Sequence, residues 1–169
     1  MTTHFERFAE RLTDDERETL FATVPVLIAW VVGADGVFDR AELSAAIDEL
    51  IAGNDQLGAS FRHSVAAEEA FAKIPEMVRN PDRLEFHGHL MRVRDIVRLM
   101  PTALAEEFRA FILRLVLHLA RASGSFLGLG DPISDEERAV IVRIVHALEI
   151  PVHDARLRVQ LGLEVEETR

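Results

Sequence analysis

A short phrase occurs twice in this chain, each time between the end of one apolar segment and the acidic start of the next. The first copy reads Ala34-Asp35-Gly36-Val37-Phe38-Asp39-Arg40-Ala41-Glu42-Leu43. The second reads Ala122-Ser123-Gly124-Ser125-Phe126, then an insertion from Leu127 to Asp131, then Pro132-Ile133-Ser134-Asp135-Glu136-Glu137. In each, a glycine able to stop a helix precedes a hydrophobic residue and the acidic first turn of another helix. Repeats at this distance predict two similar helical units that stack to close one core.

The rest of the chain supports an all-α fold. No stretch alternates with period two for long enough to make a strand, and tyrosine is absent. Thr13 with Glu16 is a capping box, in which the hydroxyl accepts from a first-turn amide and the carboxylate reaches back. The helix it opens runs toward Val32, and Pro25 is expected to kink or break it. Within it Val26 to Val32 is apolar on every side, the pattern of a buried central helix. Asp39 with Glu42 forms a second box, opening a helix through about Ala52 that Gly53-Asn54-Asp55 ends.

A third helix is expected over Phe61 to Ile74. Asn80-Pro81 reads as the start of another that runs to about Met100. After Pro101, Phe108, Phe111, Ile112, Leu115, Val116 and Leu119 form one stripe of a helix over Ala103 to Ala122. Ser134 with Glu137 is the last clear box, and a short helix is expected within Val152 to Leu161. The sum is an all-α bundle of about seven helices in a single domain over residues 1–169. Its two halves lie roughly at 14–79 and 103–161.

Composition narrows the function classes. A chain of 169 residues with 49% hydrophobic content can bury a core and offset its ordering entropy. The formal charge of −10 disfavours nucleic acid and anionic membrane surfaces, and suits cations or basic partners. With no cysteine there are no disulfides, thiolate metal sites or cysteine nucleophiles. The apolar run Val24 to Ala34 is too short for a bilayer core of roughly 30 Å. The N-terminus lacks a signal-peptide apolar core. A cytoplasmic protein with no direct membrane insertion is expected.

The first repeated turn holds the best ligand cluster. If Gly36 takes the left-handed position past a helix end, Asp35 meets the negative end of that helix dipole, at a cost of a few tenths to about 1 kcal/mol. Asp39 and Glu42 stand at the positive start of the next helix. Carboxylates beside unpaired carbonyls make a hard, all-oxygen environment suited to calcium or magnesium. The competing reading is purely structural, with Asp39 and Glu42 a capping box and Asp35 solvated. The spacing is not that of an EF-hand.

Other constellations point elsewhere. The glycine-rich loop 124–130 follows a helix, lacks a neighbouring lysine and leads into acids, so it is not a phosphate cradle. Glu85 and His89, four apart, could face one another on a helix, as a partly exposed pair or as half of a metal site. His118 reads as a core-edge histidine. Arg79, Arg83, Arg92, Arg94 and Arg98 form a basic stretch, either a docking face for acidic groups or a solvated face paired with Asp82, Glu85 and Asp95. No nucleophile elbow or paired catalytic carboxylates are legible, so a non-enzyme is expected.

The motif Ala34-Asp35-Gly36-Val37-Phe38-Asp39 with Glu42, after a buried apolar helix and repeated more weakly near the C-terminus, resembles the TerB-like family. That family includes tellurite-resistance proteins and the N-terminal region of some membrane-anchored DnaJ-type co-chaperones. The resemblance runs roughly from Asp14 to Leu161. It implies a seven-helix fold of two related halves, with acidic turns proposed to bind divalent cations, and a part in stress response through a protein complex at the membrane. The family's acidic positions match Asp35, Asp39 and Glu42. In the second half Glu137 matches and Ser134 stands at the helix-start position. Ser123 departs from the pattern where an aspartate would stand. Asp131, Asp135 or Glu136 could substitute as ligands there.

Three functions follow as expectations. The first is a non-catalytic module that binds Ca or Mg through Asp35, Asp39 and Glu42, with Asp131, Asp135 and Glu137 as the second, degraded set. The alternative is a metal-independent protein–protein interaction scaffold whose acidic turns only cap helices. A weaker third, a helical enzyme with a carboxylate–histidine metal centre, requires Glu85 and His89 to converge with ligands from another helix.

Overall fold

The computed structural model describes residues 2–34, 56–63, 69, 72–80, 85–124 and 133–163, and among these there are eight helices and no strand. They are α1 (His4–Ala9), α2 (Asp14–Val32), α3 (Gln56–His63), α4 (Ile74–Arg79), α5 (Phe86–Arg98), α6 (Thr102–Gly124), α7 (Asp135–Ala147) and α8 (Ala155–Gln160). The all-α expectation holds. No helix among the described residues is long and apolar enough to cross a membrane.

α2 is the axis of the bundle and packs against α4, α5, α6 and α7. Its segment from Val24 to Val32 is buried except at Trp30, as its all-round apolar pattern requires. Pro25 does not break it: the helix is continuous through the proline. Proline removes one amide donor, and burial against four neighbours outweighs that loss. The end of α2 is also tightly packed. A Cβ added to Gly33 would lie 2.7 Å from the Ala29 carbonyl oxygen, with Val78 of α4 at 3.7 Å.

The stripe on α6 is buried as its spacing predicts. Phe108 and Phe111 join Phe5, Phe21 and Phe61 in one aromatic cluster where α1, α2, α3 and α6 meet. Within it Phe5 lies 5.0 Å from Phe61 and Phe61 lies 5.6 Å from Phe111, centroid to centroid.

Several boundaries differ from the sequence reading. α1 was not anticipated. Its capping box is the same signature as at Thr13, with Thr3 Oγ1 accepting from the Glu6 amide at 3.1 Å and Glu6 Oε2 accepting from the Thr3 amide at 2.8 Å. Arg17 of α2 closes the α1–α2 corner by donating to the carbonyls of Ala9 and Leu12 at 3.2 and 3.1 Å. α3 starts at Gln56, ahead of Phe61, and Ile74 opens a separate helix rather than ending the third. Asn80 ends α4, at φ −131° and ψ 61°, and Glu85 lies outside any helix, so the helix that ends near Met100 begins at Phe86 and is not continuous from Asn80. Pro81 and the expected helix from Asp39 to about Ala52 lie outside the described residues.

The arginine-rich stretch is in part internally paired. Arg94 bonds Asp95 at 2.9 Å, as the solvated-face reading expects. Arg98 pairs with Glu149, an acid beyond the end of α7. Arg109 of α6 reaches the same carboxylate at 3.6 Å and donates to the Leu148 carbonyl at 3.0 Å. Glu149 has a left-handed φ of 54° just past α7, where the Ile150 amide donates to the Val145 carbonyl at 2.9 Å, and the two arginines pair with its side chain. Arg98, beside it, holds its carboxyl below the usual carboxylate range.

Candidate functional site

Asp35, Asp39, Glu42 and Asp131 lie outside the described residues. The other two candidate ligands, Asp135 and Glu137, are placed, and both serve their own helix. Ser134 caps α7 with extended backbone, and its Oγ accepts from the Glu137 amide at 3.1 Å. The Glu137 side chain is buried and its Oε2 accepts from the Ser134 amide at 2.9 Å. Asp135 is exposed, with Oδ1 3.0 Å from Arg138 Nη1 one turn along. Among the described residues no three Asp, Glu or His side chains are grouped to hold a metal ion.

The end of α2 carries the other half of the cation argument. Gly33 caps it, its amide donating to the Ala29 carbonyl at 3.0 Å while the Ala34 amide donates to Val31 at 3.2 Å, and no basic residue stands in the last turn. The negative end of this helix is therefore not offset by its own side chains, and the chain then runs into Asp35.

A second site lies where α2, α5 and α7 converge. Trp30, the chain's one tryptophan, is half-buried and stacks on Phe86 with ring centroids 4.6 Å apart and planes at 8°. The two rings form a shelf in an open cleft of about 630 Å³ whose other walls are Glu85, His87, Gly88 and Arg143. Glu85 and Arg143, both exposed, put opposite charges at its margins. The entry to α5 that borders it is bare. Glu85 sits at the cap position with φ −74° and ψ 67°, makes no side-chain capping bond, and no acid follows in the first turn.

One helical turn further, His89 departs from the sequence reading. It is buried, not a partly exposed partner of Glu85, and the two are joined through the backbone, His89 N to Glu85 O at 2.9 Å. Its Nε2 is sealed from solvent without a hydrogen-bond partner among the described residues. Burial pushes the imidazole down to about 4, and the Arg92 charge adds to the effect. His118 is half-buried on α6, as a core-edge residue should be.

The cleft was missed because Val26 to Val32 reads as apolar on all sides. Its usable signal is a single large indole in a run of aliphatic residues, since tryptophan is rarely buried in full. No family model, no curated protein and no solved structure matches this chain.

Proposed function

We propose that this chain is a non-catalytic helical interaction module whose working surface is the cleft bounded by α2, α5 and α7. The observation that carries the reading is Trp30: a half-buried indole, stacked on Phe86, left facing an open cleft with charged margins. Aromatic shelves ringed by polar groups are the usual anchors of protein–protein contacts. The engagement of Asp135 and Glu137 in the α7 cap favours the scaffold reading at the second acidic turn. The resemblance to the TerB-like family supports a cytoplasmic, stress-response role such as tellurite resistance, through a protein partner in a membrane-associated complex.

The test is affinity capture from the source cell with the full chain, comparing wild type with Glu85→Lys and Arg143→Glu. Both positions are exposed, so helicity should be unchanged by circular dichroism. A partner held by wild type and lost by both variants supports the reading. Identical captures by all three overturn it.

A second reading, a divalent-cation site at Asp35, Asp39 and Glu42, is favoured by the end of α2, which has no base to offset its dipole. Calorimetric titration of the chelator-stripped chain with Ca, then Mg, tests it. Binding that disappears in Asp35→Asn supports it. Absence of heat in wild type leaves the first turn as a helix cap.

A further inference from the structure

His89 and the bare start of α5 together make a device that the interaction reading does not use. His89 is the fourth residue of α5, near the positive end of the helix dipole, where an added positive charge is disfavoured. Arg92 stands three residues along the same helix, a second cation against it. α5 packs on α2, α6 and α7. α2 carries no charge beyond Glu18, so its half against α5 has none to offer. Among the described residues no charged side chain of α2, α6 or α7 perturbs the His89 ring. Glu85 and Arg143 line the neighbouring cleft, and neither is among the groups that shift the His89 ring. A protonated imidazole in this seat is thus buried, unpaired and opposed by both the dipole and Arg92.

The cheapest escape is local. The turn that carries His89 begins without a side-chain cap, and its first residue, Phe86, reaches the rest of the bundle through the Trp30 stack. Helix ends without caps open at lower free energy than sealed ones.

We propose that His89 is an acid-sensitive latch on the α2–α5 junction: taking up a proton drives its ring out of the interior, opens the first turn of α5 and parts Phe86 from Trp30. The step is a protonation with no covalent change. The open form exposes both aromatic rings to solvent, so acid converts the cleft from a shelf into a wider apolar surface. The neutral closed form is restored when pH rises.

The experiment is a pH titration of Trp30 fluorescence in the full chain from pH 7.5 to 4, with far-ultraviolet circular dichroism recorded in parallel. The device predicts a reversible red shift between the ordinary histidine value of 6.5 and about 4, at higher pH than the main loss of helicity. His89→Phe should move the fluorescence midpoint down by at least one pH unit, and Arg92→Gln should move it down by less. If His89→Phe does not fold, His89→Gln provides the same readout. His87 also lines the cleft beside Trp30, so His87→Ala is the control and should keep the transition. The proposal fails if the midpoint is unmoved at position 89, if it vanishes in His87→Ala, or if fluorescence and helicity change together in wild type.

Discussion

α7 and α5 are helices of equal length, 13 residues each, and both pack against α2 and against one another, yet they begin in opposite ways. α7 is sealed. Ser134 and Glu137 satisfy each other's amides, three acids occupy its first turn, and Asp135 is held by Arg138. α5 has no side-chain cap and no acid in its first turn, and a buried histidine follows one turn later. The acid-rich start, which looks like a ligand site in sequence, is occupied with stabilising its own helix. The unremarked start borders the aromatic cleft. Stability and accessibility are divided between the two.

The largest effect that would sharpen this contrast is acid sensitivity at position 89. The folded-state value of about 4 lies below the ordinary 6.5, so the unfolded chain takes up a proton that the folded chain refuses. Stability is therefore unaffected above pH 6.5, falls as pH drops between these values, and levels off below about 4. At about 1.4 kcal/mol per pH unit, wild type should lose up to about 3 kcal/mol relative to His89→Phe, measured by urea unfolding across that range. Equal pH slopes in the two proteins would break the comparison on the α5 side.

Next comes the α7 side. Glu137→Ala removes a buried carboxylate bonded to a backbone amide and should cost about 2 kcal/mol. Ser134→Ala should cost about 1 kcal/mol. Both are read from denaturant midpoints at unchanged m-value. The smallest effect is at the open end. A Cβ at Gly88 would meet nothing nearer than Glu85 Oε2 at 3.5 Å, so Gly88→Ala should stabilise α5 by about 0.5 kcal/mol. A cost in place of that gain would mean the first turn of α5 is already tightly seated.

What could be read from the sequence follows the same division. The boxes at Thr13 and Ser134 and the stripe on α6 were legible because their causes are local: a hydroxyl, an acid three residues on, and a regular spacing. The box at Thr3 carries the same signal, but it opens a helix of only six residues within a mixed-charge N-terminus. Asparagine suits a helix end as well as a helix start, and Asn80 closes α4; the start expected at Pro81 lies outside the described residues. The cleft was not legible. Whether Trp30 is covered, and whether His89 is inside, depends on which helices pack opposite them. Spacing along one chain does not contain that information. Asp135 and Glu137 read in the sequence as candidate ligands, and the bonds they make in the fold are to Arg138 and Ser134, whose geometry the spacing alone does not supply.

The account's central claim is that α7 begins sealed and α5 begins open. Amide hydrogen exchange at neutral pH, resolved by residue, tests it most directly by comparing Glu137 with Gly88, each the third residue of its helix. The Glu137 amide, bonded to Ser134 Oγ at 3.1 Å, should exchange at least about tenfold more slowly than Gly88 after correction for intrinsic rates. Equal protection, or better protection at Gly88, would contradict the claim and with it the assignment of the α5 entry as the working end of the molecule.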